Sequence, residues 1–196
     1  MDIWSTIIEI FGAIAGLIYL YLEIKQRRTM WIVGAVSALV YIFVFFRAGL
    51  YAAMAFQFYY VWISIYGWRR WSTDEYNVNE SDTNSCVTVK MPAKVAVISA
   101  ITIVFASLLF WQILRRIDSD PMPFADGFVV ALSMVATYWV SNKYIEHWIL
   151  WGAANSLSVY IYVSQGLYAT MVLYILFLAA SVVGYIRWRK FRRVLN

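Results

Sequence analysis

Polar and aromatic side chains recur at helical spacing within a segment that is otherwise apolar. Trp148, Trp151, Asn155, Ser158 and Tyr162 follow one another at steps of three or four residues. Residues at this spacing share one face of a helix, so these five form a single stripe. Aromatic faces stack on planar rings, amides bond to ring edges, and tyrosine hydroxyls contact sugars. The stripe therefore indicates a binding surface for a small heterocyclic molecule, neutral or singly charged.

Four other apolar segments carry shorter versions of this pattern. In chain order they contain Glu9; Ser37 and Tyr41; Gln57, Tyr60, Ser64 and Trp68; and Asp126, Ser133 and Thr137. Unpaired polar groups are costly inside a bilayer, so they usually face the bundle interior or a water-filled path. We therefore expect a polar, aromatic-lined cavity between helices. Ser37, Tyr41 and Tyr60 are predicted to bind substrate there, and Glu9, Asp126, Ser158 and Tyr162 are candidates for gating or structural roles.

Several of these residues have an alternative interpretation. Tryptophan and tyrosine also collect at membrane–water interfaces as anchors. We interpret Trp31, Trp71 and Trp188, at the ends of apolar segments, as such anchors, while the position of Trp148 near a helix start suits an anchor and a binding residue equally. Gln57 suits either substrate binding or a hydrogen bond to a neighbouring helix.

The composition is that of an integral membrane protein. The 196 residues are 63% hydrophobic and 14% charged, against about 45–50% and about 25% in soluble domains. This excludes a soluble enzyme and a disordered chain, and the single cysteine excludes a disulfide scaffold. The net charge of +5 is explained by basic loops on the cytoplasmic side, so no nucleic-acid partner is expected.

Seven segments approach the length of about 20 residues that a membrane-spanning helix needs. They are 3–24, 31–47, 50–68, 95–113, 124–141, 145–163 and 168–186. Thirteen of the 16 Lys and Arg residues fall on the side that holds the C-terminus. The positive-inside rule therefore places the N-terminus outside and the C-terminus in the cytoplasm.

An offset of 117 residues aligns the second and third segments with the sixth and seventh. Eleven of the 41 positions from 31 to 71 are then identical, including a shared GLYA block and a shared Arg-Trp pair. Parallel three-helix repeats of this kind are a feature of secondary transporters. We therefore expect one all-α membrane domain of seven helices in a 3+1+3 order. Its parts are the first repeat 1–71, a cytoplasmic linker 72–94, a connecting helix 95–113, the second repeat 124–188 and a basic tail 189–196.

Other chemistry lacks the residues it needs. The sequence has no GxxxxGK[ST] phosphate loop, so we do not expect the chain itself to use ATP. His147 is the single histidine and no His/Cys cluster is present, so neither a metal site nor a Ser-His-Asp set is expected. We predict a protein without a cofactor that is not an enzyme.

Three segments carry the most specific patterns. They are EIFGAIAGLIYLYLEIKQ, WIVGAVSALVYIFVFFRAGLYAAMAFQFYYVWISIYGWRRW and PFADGFVVALSMVATYWVSNKYIEHWILWGAANSLSVYIYVSQGLYA. Trp148, Trp151 and Asn155 form WxxWxxxN, and residues 65–71 read IYGWxxW. Both patterns are typical of PnuC-type vitamin transporters. The chain resembles this family over most of its length, except the linker 72–93 and the fourth span.

The resemblance implies a fold, an activity and a set of ligand contacts. It implies a homotrimer of seven-helix chains in the lipid bilayer of the cell membrane, the bacterial inner or plasma membrane. It also implies facilitated diffusion of an unphosphorylated vitamin precursor that a cytosolic kinase then traps. Nicotinamide riboside ranks first as substrate, with thiamine or riboflavin as alternatives. The family's ligand contacts correspond to Trp148, Trp151, Asn155 and Gln57.

Two other classes share part of this pattern. Sugar carriers of the SWEET kind use parallel three-helix repeats but rely on prolines within their helices, and the three prolines here fall in predicted loops. A seven-helix receptor would have the same orientation but needs no internal duplication.

Overall fold

The computed structural model describes residues 3–47, 49, 51–73, 86–116, 121–190 and 192–195. Within these residues the chain forms seven helices and two short strands. They are α1 (Ile3–Ile24), α2 (Met30–Arg47), α3 (Tyr51–Trp71), β1 (Cys86–Val89), α4 (Ala93–Leu114), α5 (Pro123–Ser141), α6 (His147–Ser164), α7 (Tyr168–Lys190) and β2 (Arg192–Leu195). Most of the predicted linker, residues 74–85, lies outside the described residues.

All seven predicted segments are helices, and most of their ends agree within two residues. The largest differences are at the C-terminal ends of α3 and α7, which continue through basic residues to Trp71 and Lys190. Basic side chains are favourable at a helix C-terminus, and hydropathy marks only the part of a helix that lipid would cover. By length and composition, four of the described helices are apolar enough to cross a membrane: α2, α4, α5 and α7.

The all-α expectation misses two strands. β1 and β2 pair into a two-stranded sheet, where the sequence predicts a linker and a tail. The CVTV segment of β1 is rich in β-branched residues, which favour strands. A run of four residues is too short for its periodicity to distinguish a strand from a loop.

The chain divides into two compact units, Met1–Val87 and Thr88–Asn196. In the first unit α1 packs on α2, and α2 packs on α3. Gln26 reverses the chain between α1 and α2 with a φ of 51°, and Gly49 does so between α2 and α3 with a φ of 72°. Positive φ is readily available to glycine but uncommon for glutamine, so contacts must hold Gln26 in place.

In the second unit α4 packs on α5, α5 on α6, and α6 on α7. Lys143, at φ 57°, lies in the connection from α5 to α6, and Gly166, at φ 71°, in that from α6 to α7. Trp139 of α5 donates a hydrogen bond from Nε1 to Ser99 Oγ of α4 over 2.9 Å. Trp139 also belongs to a buried cluster with Val135 and Tyr144, which holds α5 and the following connection together.

Candidate functional site

The stripe predicted from spacing lies on the buried side of α6. Trp148, Asn155 and Ser158 are buried, while Trp151 and Tyr162 are half-buried. Tyr162 packs against Tyr174 of α7 with ring centroids 5.0 Å apart. The stripe is therefore available to neighbouring helices, or to a ligand held among them, rather than to lipid.

Trp148 fills the contact between the start of α6 and the end of α7. A Cβ atom on Gly184 would overlap its indole ring. Trp188, one turn further along α7, meets the same ring edge to face at 5.8 Å and 87°. His147 packs on both indoles, at 4.6 and 4.7 Å. Trp148 thus has a visible packing role, and its contact with a substrate stays a prediction.

Asn155 lies about two turns beyond Trp148 on the same helix and is 6% exposed. Its Nδ2 donates to Ser181 Oγ of α7 over 3.3 Å. Ser181 Oγ in turn lies 2.9 Å from the carbonyl oxygen of Phe177. The sequence predicts a site role for Asn155, which stays a prediction. It gives no signal for Ser181 as the partner of Asn155, because that pairing depends on the register of α6 against α7.

Trp151 presents a buried donor to the interior. Its Nε1 atom is shielded from solvent and finds no acceptor among the described residues. A buried N–H group without an acceptor costs about 1–3 kcal/mol. A ligand or water that supplied an acceptor at this position would remove that cost.

The first unit contains a tryptophan pair of the same kind. Trp31 of α2 and Trp71 of α3 meet edge to face at 5.6 Å and 89°. A Cβ atom on Gly67 would overlap the Trp31 ring. Trp31, Trp71 and Trp188 are each at most 1% exposed. The interpretation of these three as interface anchors is therefore wrong, because an anchor must reach the lipid–water boundary.

The predicted site residues of the first unit are half-buried on two neighbouring helices. Gln57 and Tyr60 lie on α3, and Tyr60 meets Phe56 edge to face at 5.1 Å. Ser37 lies on α2, next to the fully buried Ala38.

Tyr41 of α2 is wedged against α1. Its hydroxyl occupies the place that a side chain on Gly12 would take. Its ring stacks on Phe45 at 5.6 Å and 27°. The structure thus gives Tyr41 a packing role at the α1–α2 contact, beside which its predicted role in binding stays open to test.

The two acidic candidates for gating or structural roles, Asp126 and Glu9, belong to different helices. Asp126 lies half-buried in the first turn of α5, which Pro123 opens. A carboxylate at a helix N-terminus is stabilised by the helix dipole. The gating or structural role predicted for Asp126 stays a prediction. Glu9 belongs to α1, but its side chain is outside the part of the structure that is described.

Tyr19 is an interior residue that sequence reasoning missed. It lies over Gly34 of α2, where a Cβ atom would be 3.2 Å from Tyr19 Cε2 and 3.0 Å from Ser64 Oγ. Its ring also faces Trp31 edge-on at 6.4 Å. Under the 117-residue offset Gly34 aligns with Trp151, so the first repeat lacks a large side chain at this position. This difference is the one signal in the sequence that a side chain from elsewhere, here Tyr19, packs over Gly34.

Among the residues with described positions, no group of three or more His, Cys, Asp or Glu is placed to hold a metal ion.

Apolar helices that turn amide, hydroxyl and indole groups inward are typical of membrane transporters for small molecules. The profile of the nicotinamide mononucleotide transporter family matches residues 6–190. The chain therefore belongs to this family of membrane transporters and is a multi-pass cell membrane protein. The resemblance to PnuC-type transporters is confirmed.

The individual relatives are named as transporters of different vitamins. The chain is 28% identical to the nicotinamide riboside transporter PnuC of Escherichia coli over 202 residues, which cover 92% of this chain and 84% of the relative. It is 22% identical to PnuC of Neisseria mucosa over 186 residues, covering 91% and 70%. It is also 26% identical to the riboflavin/roseoflavin transporter RibM of Streptomyces davaonensis over 188 residues, covering 95% and 84%.

A solved structure shares the fold. The crystal structure of the vitamin B3 transporter PnuC matches with a TM-score of 0.66 at 21% sequence identity, covering 92% of this chain and 80% of that one.

Proposed function

We propose that the protein imports nicotinamide riboside by facilitated diffusion, and that a cytosolic kinase traps the product. The observation that carries the proposal is the interior face of α6, where Asn155 and Trp151 present polar atoms on an otherwise apolar helix. The names of relatives in E. coli and N. mucosa support this vitamin over others. A passive mechanism agrees with a sequence that lacks a phosphate loop.

The proposed substrate contacts lie on three helices, α2, α3 and α6. Trp148, Trp151 and Asn155 would supply aromatic faces and an amide from α6, and Gln57, Tyr60, Ser37 and Tyr41 would contribute from α2 and α3. Aromatic side chains suit a pyridine ring, and hydroxyl and amide groups suit a ribose. Glu9, Asp126, Ser158 and Tyr162 remain candidates for gating or structural support.

We also propose that α1–α3 and α5–α7 are parallel repeats joined by α4. In support, helix ends recur at the 117-residue offset: Ile24 and Ser141, Met30 and His147, Arg47 and Ser164, and Tyr51 and Tyr168. The left-handed residues Gln26 and Lys143, and Gly49 and Gly166, recur at the same offset. The distribution of Lys and Arg supports an N-terminus outside and a C-terminus in the cytoplasm.

A homotrimer is the proposed assembly, on the strength of the family resemblance. Its mass in detergent or nanodiscs, measured by light scattering, tests this directly. A monomer that carries full transport activity would contradict it.

Riboflavin and thiamine are the alternative substrates, and the similarity to RibM favours riboflavin among them. A thermal-shift panel with nicotinamide riboside, thiamine and riboflavin separates the three. A ligand present at 100 times its dissociation constant stabilises the folded state by about 2.7 kcal/mol. We expect the largest shift with nicotinamide riboside, and a larger shift with another vitamin would reassign the substrate.

Transport itself is tested in liposomes that contain the purified protein. The labelled substrate should equilibrate across the bilayer without ATP or an ion gradient. A kinase encapsulated together with ATP, as its phosphoryl donor, should then drive accumulation. Accumulation above equilibrium without a kinase would exclude the passive mechanism. A lack of flux with ligand-dependent recruitment of a cytosolic partner would favour a receptor, and competition by sugars would favour a sugar carrier.

A further inference from the structure

The side chain of Asn155 is held on one side only. Its amide lies inside the contact between α6 and α7 and is 6% exposed. A primary amide has two N–H donors and a carbonyl acceptor. Within the described part of the chain, the contact with Ser181 is its one side-chain hydrogen bond. The carbonyl oxygen and the second N–H of this amide are therefore without a side-chain partner among the described residues.

Ser181 determines which end of the amide is used. The Ser181 hydroxyl donates its proton to the carbonyl oxygen of Phe177, one turn earlier on α7, over 2.9 Å. A hydroxyl has one proton, so Ser181 Oγ meets Asn155 as an acceptor. The NH₂ group of Asn155 must therefore face Ser181, and the carbonyl oxygen Oδ1 faces away from it.

The position of Ser181 is itself fixed by packing. Gly184 lies three residues further along α7, on the same helical face. Because Gly184 has no side chain, Trp148 of α6 can sit directly against α7 at this level. This close approach brings Ser181 within reach of the short Asn155 side chain.

Trp151 adds the complementary group. It lies four residues before Asn155, on the same face of α6. Its buried Nε1 donor finds no acceptor among the described residues. Neighbouring turns of one helix thus offer an unused donor, Trp151 Nε1, and an acceptor, Asn155 Oδ1.

We propose that Ser181 is a positioning residue that orients Asn155 as a hydrogen-bond acceptor for the substrate. Trp151 Nε1 and Asn155 Oδ1 then together recognise a group with an adjacent acceptor and N–H donor, such as a primary carboxamide. The inference rests on the proposed function, since it concerns the ligand of the same site. It assigns Ser181 a part in specificity without direct contact with the substrate.

The test compares two ligands that differ in one group. Nicotinamide riboside carries a carboxamide, and 3-acetylpyridine riboside replaces its NH₂ by a methyl group of similar size. A buried acceptor left without a donor costs enough to lower affinity about tenfold, so the wild type should prefer the carboxamide by that factor. Dissociation constants from calorimetry on the purified protein give this ratio.

Three variants then separate positioning from general stability. Ser181→Ala should reduce the preference for the carboxamide ligand to about twofold or less, because the Asn155 amide is no longer held in one orientation. Ser181→Thr, which keeps the hydroxyl, should retain the wild-type preference. Asn155→Ala should abolish it. A purely structural role of Ser181 would lower Tm and leave the ratio unchanged.

The outcomes also separate this inference from the proposed function. If the wild type binds neither riboside, the proposed function fails. If it binds both with equal affinity, or if Ser181→Ala keeps the full preference, the positioning role fails while the proposed function stands. The wild-type ratio is informative even where a variant does not fold.

Discussion

The indole ring of Trp148 occupies the space that a side chain on Gly184 would need. Trp188 packs edge to face against the same ring, with ring centroids 5.8 Å apart. Because the ring is enclosed on both sides, it has no room to shift when atoms are added on α7. This contact sets how closely α6 and α7 approach, and so where the polar groups of α6 lie.

Gly184→Ala should therefore destabilise the protein. Overpacking a filled contact costs about 1–3 kcal/mol, which lowers Tm by several degrees in a chain of this size. Gly67→Ala should behave alike in the first unit, where a Cβ atom would overlap Trp31. Thermal unfolding in detergent measures both.

Gly152→Ala is the matched control for this prediction. Gly152 also lies within a helix, but nothing stands within 4 Å of an added Cβ atom. Replacing such a glycine gains about 0.5–1 kcal/mol of helix stability. Equal Tm changes for Gly184→Ala and Gly152→Ala would contradict the close packing at Trp148.

The contact of α4 with α5 depends on one buried hydrogen bond. Ser99→Ala removes the acceptor of Trp139 Nε1, which lies 2.9 Å away in the wild type. Leaving that donor buried without a partner should cost about 1–3 kcal/mol of unfolding free energy. Thr102→Ala, an exposed position on the same helix, should change stability by less than about 0.5 kcal/mol.

A double-mutant cycle isolates this bond. In a Trp139→Phe background there is no N–H group to leave unsatisfied, so Ser99→Ala should cost much less. An unchanged cost in both backgrounds would mean that Ser99 acts through packing alone.

The helices and the buried face of α6 could be predicted from the sequence because both depend on local patterns. Apolar length marks a helix, and steps of three and four residues mark a face. The roles of Trp31 and Trp188 could not be predicted in this way. A tryptophan at a helix end has the same sequence context whether it meets lipid or packs against another helix. Only the register of the neighbouring helix distinguishes the two cases.

The same limit applies to Tyr19 and Ser181. The sequence does not distinguish Tyr19 from the other tyrosines of an aromatic-rich chain, because its contact with Gly34 is known only from the structure. In the same way, the sequence does not distinguish Ser181 from the other small residues of α7, because its hydrogen bond with Asn155 is known only from the structure. β1 was missed for a different reason, since four residues are too few for a periodic pattern.

Trp151→Ala should weaken binding of the proposed substrate. If the indole stacks on a planar ring, its loss should cost about 1–3 kcal/mol, a range known for aromatic stacking on bases. Trp151→Phe keeps an aromatic face and should recover part of this. Calorimetric titration gives the dissociation constants.

Trp62→Ala is the control for Trp151. Trp62 is 56% exposed on α3, so its removal should leave the dissociation constant unchanged. An unaltered affinity in Trp151→Ala, with correct folding, would remove Trp151 from the site.

Gln26 links the α1–α2 connection to β1 by two hydrogen bonds. Its Nε2 donates to the carbonyl oxygen of Val87 over 2.8 Å, and the Val87 N–H donates to its Oε1 over 2.9 Å. The glutamine amide thus pairs with the strand as a neighbouring strand residue would. Cys86, the single cysteine, is 1% exposed in the adjacent position and reports on opening of this strand.

Gln26→Gly should raise the rate at which a maleimide labels Cys86. Glycine accepts the left-handed conformation at φ 51°, so the variant removes the two hydrogen bonds without adding backbone strain. Two buried bonds contribute about 2 kcal/mol together, so the strand should open at least about tenfold more often. Lys25→Ala, an exposed neighbour, should label at the wild-type rate. Slow labelling in a folded Gln26→Gly variant would mean that other contacts hold β1 in place.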